Sequence, residues 1–234
     1  MGPAVAVRAY LESYDAATLT LDPNNVYPGF LRATPANQER EGDYLTQLTR
    51  IRPLVGYTKG PKDAWTHYGF VTYHVLHLNP KGNAFEAIVC GGEYSHFVNS
   101  LAQPGKFVSV AVNEATGKPY TSGSGLSVHR IEFTQSDSRV GANPPAPVAA
   151  PQRGPAPAPD QDEFGNWFIT AAGSHYWGPI NDPQSRNFPT PDLERQCAER
   201  MPQNEAERTA MMSGFKDEPP PPGQAEPGWP LKAN

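Results

Sequence analysis

Two segments dense in β-branched and aromatic residues, 64–78 and 84–90, limit the fold of this chain more than any other feature. A short loop, "NPKGN", separates them and contains Pro80 and Gly82. Strand-forming segments that are joined by a short loop with turn residues predict a β-hairpin. The chain is therefore expected to contain an antiparallel sheet built around this hairpin.

The register of the hairpin determines which of its polar side chains meet. If Asn79 lies opposite Asn83, then His74 and Glu86 fall on the same face as diagonal neighbours, about 7 Å apart at the backbone. A carboxylate that orients an imidazole is a common pair for proton transfer, so His74 and Glu86 are candidate catalytic residues. The alternative is an ion pair between the strands that faces solvent.

Helices are expected before the hairpin and further strands after it. Apolar residues at helical spacing predict an amphipathic first helix within residues 4–20. Thr34 as a cap, with Pro35 after it, predicts a second helical stretch that runs to about residue 51. Alternation with period two predicts further strands in residues 106–113 and 126–133, and a last one in residues 166–177.

Helices followed by antiparallel strands predict the α+β class, with the helices on one side of a curved sheet. The 27 prolines are concentrated outside this pattern, which predicts how the chain is divided. Apolar side chains within 181–218 are expected to dock this segment on the sheet. The expected parts are a core in 1–135, a mobile Pro/Ala-rich insertion in 136–162, the last core strand in 163–180, and a C-terminal extension with short helices and a Pro-rich tail in 181–234.

Composition excludes several functional classes. The formal net charge is −5 and the pI is near 5.7, so no basic surface indicates nucleic acid as a partner. No apolar run is long enough to cross a bilayer, and residues 1–15 lack the pattern of a signal peptide. We therefore expect a soluble chain, cytoplasmic unless the sequence is the matured form of an exported protein. No cofactor is expected, because no glycine-rich segment has the lysine and helix start of a phosphate loop.

The two cysteines, Cys90 and Cys197, allow two interpretations. They can be reduced, partly buried thiols, or they can form one disulfide that ties the C-terminal extension to the core. A disulfide would close a loop of about 100 residues and stabilise the fold by roughly 4–5 kcal/mol in the chain-entropy model. It would also require an oxidising compartment.

The histidines do not have the spacing of a metal site. His67 and His77 would lie roughly 33 Å apart on one unbroken strand, and His74 and His77 differ in parity and point to opposite faces. The sequence contains neither an HxH nor an HExxH motif. No metal site is therefore expected.

The order of elements, from "VRAYLESYDAATL" through the hairpin to "GNWFITAAG", resembles the NTF2-like (SnoaL-like) cone fold over residues 4–135 and 164–178. Within that superfamily the pattern is similar to uncharacterised actinobacterial members, many of them secreted or membrane-anchored. The resemblance implies that the first helix borders a pocket in a strongly bent sheet. Tyr10 and Tyr14 on that helix and Thr72 on the hairpin are the candidate ligand-binding residues, and Asp15 is the only acid beside the two tyrosines.

Two functions remain open from the sequence. One is a non-catalytic module that binds a small apolar molecule or assembles with protein, and the resemblance implies a homodimer formed through the outer faces of the sheets. The alternative is a small-molecule lyase, isomerase or hydrolase that uses His74 and Glu86. None of the catalytic patterns of the resembled enzymes is present at matching positions.

Overall fold

The first helix, α1, spans Pro3–Thr20, and one of its faces packs in the hydrophobic core. The computed structural model describes residues 2–54, 66–120, 125–140 and 153–231. Pro3 suits the first turn of α1 because the amide that it lacks would have no partner there. The helix ends where Leu21 adopts a left-handed backbone conformation with φ of 55°.

The other elements are short helices and antiparallel strands. A three-residue 3-10 turn, Thr46–Leu48, precedes the strands, a second one, Ser138–Val140, lies between the eighth and ninth strands, and a five-residue one, Pro183–Asn187, follows the ninth. The remaining helices are α2 (Phe30–Ala33), α3 (Pro191–Arg200) and α4 (Glu205–Met212). The strands are β1 (His67–Gly69), β2 (Thr72–Lys81), β3 (Ala84–Gly92), β4 (His96–Asn99), β5 (Phe107–Ser109), β6 (Val112–Asn113), β7 (Lys118–Pro119), β8 (Leu126–Thr134), β9 (Phe168–Gly173) and β10 (Phe215–Lys216).

These strands form two four-stranded sheets and one small hairpin. The first sheet has the order β1-β4-β5-β10, the second has the order β2-β3-β8-β9, and β6 pairs with β7. Every pairing is antiparallel, so the predicted α+β class with antiparallel sheets is confirmed. The long strand predicted for 64–78 is divided at Gly69, whose φ is 83° and where a Cβ would lie 1.9 Å from the carbonyl oxygen of Ser95.

The β2–β3 hairpin has a different register from the predicted one. Lys81 pairs with Ala84 across a two-residue turn, and Asn79 therefore lies opposite Glu86 rather than Asn83. The register then shifts between Val75 and His77. The prediction was wrong because a Gly-Asn turn closes the hairpin more tightly than the five-residue loop, and because the bulge adds one residue to β2.

The second sheet is covered on both faces. α1 packs on the inner face, where Val7 and Tyr10 share a buried cluster with Val89 and Ile131. The outer face carries Ile88 and Cys90, and a second cluster forms there with residues of the C-terminal extension. Phe188, Cys197 and Met201 supply the buried side chains of the extension in that cluster.

A disulfide joins the extension to the outer face of the sheet. Cys90 in β3 and Cys197 in α3 are both fully buried and are bonded to each other, with their Cα atoms 5.3 Å apart. Thr190 caps α3 through its side chain, which accepts a hydrogen bond from the amide of Leu193. The predicted docking of the extension is thus seen in the structure, and of the two interpretations of the cysteines the structure has the disulfide.

The second helix predicted from Thr34 to about residue 51 is absent from the described residues 34–51. Thr34 lies at the end of the four-residue helix α2, and its hydroxyl donates to the carbonyl oxygen of Phe30 instead of capping a following helix. Only the 3-10 turn Thr46–Leu48 is helical in this segment. Gly42, with φ of 60°, adopts a left-handed backbone conformation in the middle of this segment, where a helix needs a right-handed one.

The Pro-rich tail and the end of the predicted insertion pack against each other. Gly154 and Ala156 form backbone bridges with Gly228 and Trp229, and Trp229 is fully buried. The burial of Trp229 differs from the expectation of a tail on the surface, while the mobility of the insertion stays a prediction. Residues 141–152, which contain most of the Pro/Ala tract, lie outside the described part of the chain.

Candidate functional site

A cavity of about 670 Å³ opens beside the inner face of the second sheet. Its wall combines α1, the segment 40–50, the first residues of β2, the middle of β8 and the segment that follows β9. Apolar contact comes from side chains such as Leu11, Val71 and Ile131. The titratable groups of the wall are five tyrosines, two carboxylic acids, three histidines and two arginines: Tyr10, Tyr14, Tyr44, Tyr73, Tyr176, Asp15, Glu93, His96, His129, His175, Arg40 and Arg50.

Asp15 and Tyr73 form the central polar contact of the cavity. The Tyr73 hydroxyl donates a hydrogen bond of 2.7 Å to Oδ2 of Asp15. Burial raises the pKa of Asp15 to about 7; the bond from Tyr73 lowers this pKa, and the nearby acids Glu93 and Glu12 raise it. A carboxyl group with this pKa is ionised in about half of the molecules at neutral pH.

His129 lies beside this pair on β8. Its ring stands edge-on to that of Tyr73, with 5.9 Å between the ring centroids, and its Nε2 is 3.0 Å from Oγ of Ser127. Gly91 on the neighbouring strand β3 leaves room for these two side chains, because a Cβ at this position would lie 2.5 Å from Ser127 Oγ and 3.0 Å from His129 Nε2. Burial lowers the pKa of His129 to about 4, so the imidazole is neutral at pH 7 and offers one donor and one acceptor.

Two further polar residues of the cavity wall, Glu93 and His96, come after β3. Burial raises the pKa of Glu93. His96 faces the cavity and contacts His67, with 2.8 Å between His67 Nδ1 and His96 Nε2. Burial and the neighbouring His67 lower the pKa of His96 to about 4, so one neutral ring donates to the other.

The two predicted tyrosines of α1 both line the cavity, but they differ in what they can offer a ligand. Tyr10 is 3% exposed and donates its hydroxyl to the carbonyl oxygen of Ile51 at 2.7 Å, so its polar group is already bonded. Tyr14 is partly exposed. Burial raises its pKa, while the charges of Arg50 and Arg40, which also line the cavity, lower it.

The predicted residues His74, Glu86 and Thr72 do not line the cavity. His74 lies opposite Cys90 and therefore on the outer face of the sheet, and four residues of β3, roughly 13 Å, separate that position from Glu86. Thr72 begins β2 and its hydroxyl interacts with that of Tyr94. The structure thus does not form the predicted acid–base pair, because the register of the hairpin differs.

Glu86 has a structural role instead. Its Oε2 lies 2.7 Å from Lys81 Nζ and 2.8 Å from Arg130 Nη2, and Asn79 donates to Oε1 at 3.3 Å. Burial raises the pKa of Glu86, but the contacts with Lys81, Arg130 and Asn79 outweigh burial and hold the pKa below its ordinary value. A carboxylate with three partners is a poor proton carrier.

Sequence reasoning missed Asp15, Tyr73 and His129, although two of them carry a readable signal. Asp15 follows Leu11 by four positions and thus places a carboxyl group on the apolar face of α1. His129 alternates with Ile131 and Phe133, so it has the parity of an inward-facing position on β8. Glu93 and His96 have no such signal, because the turn between β3 and β4 determines their positions.

No group of three or more metal-ligating side chains lies close together within the described residues. None of the described helices is both long and apolar enough to cross a membrane. Comparison with protein-family models, with curated proteins and with solved structures finds no match to this chain. The cavity is therefore the feature from which a function can be inferred.

Proposed function

We propose that the protein binds a small, largely apolar molecule in the cavity beside α1. The observation that carries this proposal is the cavity of about 670 Å³, in which apolar side chains such as Leu11, Val71 and Ile131 accompany the oriented polar pair of Asp15 and Tyr73. Ligand sites in proteins have this size and this combination of an apolar surface with few convergent polar groups. Protein interiors are closely packed, so a core that holds no ligand would be more stable if side chains filled such a volume.

Binding can be tested with two matched variants of α1. Thr18 lines the cavity, and Thr20 is exposed on the same helix outside it. A set of aromatic fragments is screened by ligand-observed NMR against the unmodified protein, Thr18→Trp and Thr20→Trp. We expect fragments that bind the unmodified protein and Thr20→Trp and that lose at least tenfold in affinity for Thr18→Trp. Equal binding to both variants would contradict the proposal.

A second candidate function, acid–base catalysis, is favoured by Asp15 in particular. A carboxyl group with a pKa of about 7 can take a proton from a substrate carbon and return it at neutral pH. In such an isomerase Asp15 would remove a proton from a carbon next to a carbonyl group and return it to another carbon of the same substrate, whereas in a lyase the proton would pass to the departing group as its bond to the substrate breaks. Tyr73 would orient the carboxyl group through the hydrogen bond to Oδ2. This pair replaces His74 and Glu86 in the proposal.

Proton removal can be detected without knowledge of the natural reaction. Small cyclic and aromatic ketones are incubated with protein in D2O, and loss of the α-proton signal is followed by NMR. We expect faster exchange with the unmodified protein than with Asp15→Asn for at least one ketone class. Equal rates for every ketone would contradict the catalytic function and leave the binding function standing.

The NTF2-like cone remains a proposal about the fold. It is supported by a long first helix that packs on the inner face of an antiparallel sheet, with a cavity beside it. The implied homodimer would need another surface than the outer face of the second sheet, because the C-terminal extension covers that face. Assembly with a partner protein stays a prediction from the sequence.

We further propose that the chain folds in an oxidising compartment. The support is the buried disulfide between Cys90 and Cys197, since such bonds persist outside reducing cytosol. Counting free thiols under denaturing conditions in protein taken from its native cells tests this. We expect none, whereas two free thiols per chain would indicate a reducing compartment.

A further inference from the structure

Two arginines, Arg40 and Arg50, lie at the rim of the cavity. Both line it, and both are exposed to solvent. They come from the segment that lacks regular structure except for the turn Thr46–Leu48. The rim thus presents two permanent positive charges on one side of the opening.

Among the residues that the structure describes, none holds either of these guanidinium groups. No hydrogen bond or ion pair joins the side chain of Arg40 or Arg50 to any residue in the described part of the chain. In contrast, Arg8 and Arg32 each bond a carboxylate, and Arg52 bonds the carbonyl oxygens of Leu31 and Thr34. The donors of Arg40 and Arg50 are therefore available to a ligand.

The negative charge inside the cavity is smaller than its two acidic residues would carry if both were fully ionised. Asp15 and Glu93 are acids, and burial raises the pKa of both; the pKa of Asp15 is about 7, so part of its negative charge is absent at neutral pH. His96 and His129 are neutral at that pH. A cleft with low-dielectric walls concentrates the field of the charges that line it, and Arg40 and Arg50 are the cations of this lining.

We infer that the ligand of this cavity is an organic anion, with an apolar body inside and a carboxylate or phosphate group held at the rim by Arg40 and Arg50. This inference rests on the proposed binding function and adds the chemical class of the ligand. Guanidinium groups bind both anionic groups through paired hydrogen bonds, so the geometry favours neither. Tyr14 lines the same cavity, and its hydroxyl can supply a further donor.

Four probes that share one apolar body distinguish an anionic ligand from a neutral or cationic one, and a carboxylate from a phosphate. They are 2-naphthoate, 2-naphthamide, 2-naphthyl phosphate and 2-naphthylmethylamine, and their dissociation constants are measured by isothermal titration calorimetry at low salt. The proteins are the unmodified chain, the double variant Arg40→Gln/Arg50→Gln and the control Arg200→Gln. Arg200 is also exposed, but it lies at the end of α3 on the other side of the sheet.

We expect the anions to bind the unmodified chain and the control roughly five- to twentyfold more tightly than the amide. The double variant should lose this preference and still bind the amide, and the ratio of naphthoate to phosphate identifies the anionic group. Binding of the amide or the amine as tight as that of the anions would overturn the inference and leave the binding function intact. Failure of all four probes to bind would overturn both.

Discussion

At the scale of single residues, the protonation of Asp15 controls what the cavity can do. The carboxyl group lies among Tyr73, Tyr14, Glu93 and Glu12, and none of these four carries a positive charge. Burial without a cationic partner favours the protonated form. A proton that resides on Asp15 near pH 7 is available for transfer to a bound molecule.

The first prediction concerns stability and pH. The pKa of Asp15 is about 7 in the folded state and near 3.9 in the unfolded state, so folding takes up a proton between these values and stability falls as pH rises from 4 to 7. Above pH 7 this penalty is on the order of 4 kcal/mol. Asp15→Asn should therefore be more stable than the unmodified chain by ~2–4 kcal/mol at pH 8 and nearly equal to it at pH 4.5.

Urea denaturation at both pH values measures this difference. His96 and His129 act in the opposite sense, because a folded pKa of about 4 gives stability that is complete above pH 6.5 and lost towards pH 4. Both proteins retain these histidines, so the difference between the two proteins isolates Asp15. A difference that does not change with pH would show that Asp15 is ionised throughout.

At the scale of elements, the extension and the tail hold the sheet and α1 from two sides. The disulfide closes a separation of 107 residues between β3 and α3. We predict that Cys90→Ala/Cys197→Ala lowers the free energy of unfolding by about 4–5 kcal/mol. Thermal unfolding with and without reductant tests it: reductant should destabilise the unmodified chain and leave the double variant unchanged. Equal melting of both proteins without reductant would contradict the prediction.

The tail is fixed by Trp229. Its indole nitrogen donates to Glu12 at 2.6 Å, and the guanidinium of Arg8 lies 3.9 Å from the ring centroid. Trp229→Ala should cost ~3–5 kcal/mol in the free energy of unfolding, because a fully buried indole is lost. Leu231→Ala is the matched control, since Leu231 is 68% exposed and should change stability by less than about 0.5 kcal/mol. Equal effects of the two substitutions would mean that the tail is not docked.

Local patterns predicted some elements well and others poorly. The strand at 126–133 and the first helix were found because their apolar spacing extends over several turns or alternations. The register of the hairpin was missed because one bulge and a tight turn change every cross-strand pair. The buried position of Trp229 was not predictable from the prolines around it, because its contacts come from α1 more than 200 residues away.

At the scale of the whole molecule, the two faces of the second sheet differ in what covers them. Its outer face is closed by the disulfide-linked extension, while its inner face holds α1 and the cavity. Of the residues predicted for the site, Tyr10 and Tyr14 line the cavity, because the position of α1 follows from its own apolar face. His74 and Glu86 lie on the closed face, since their placement depended on the register of the hairpin.

The central claim is that the cavity holds a carboxyl group that exchanges a proton near neutral pH. Carbon NMR of protein labelled at aspartate Cγ measures it directly, with the Asp15 signal assigned by its loss in Asp15→Asn. We predict a titration midpoint near pH 7, and a higher one in Tyr73→Phe, because the hydrogen bond from Tyr73 lowers the pKa of Asp15. A midpoint near 4 in the unmodified protein, the ordinary value for aspartate, would contradict the account.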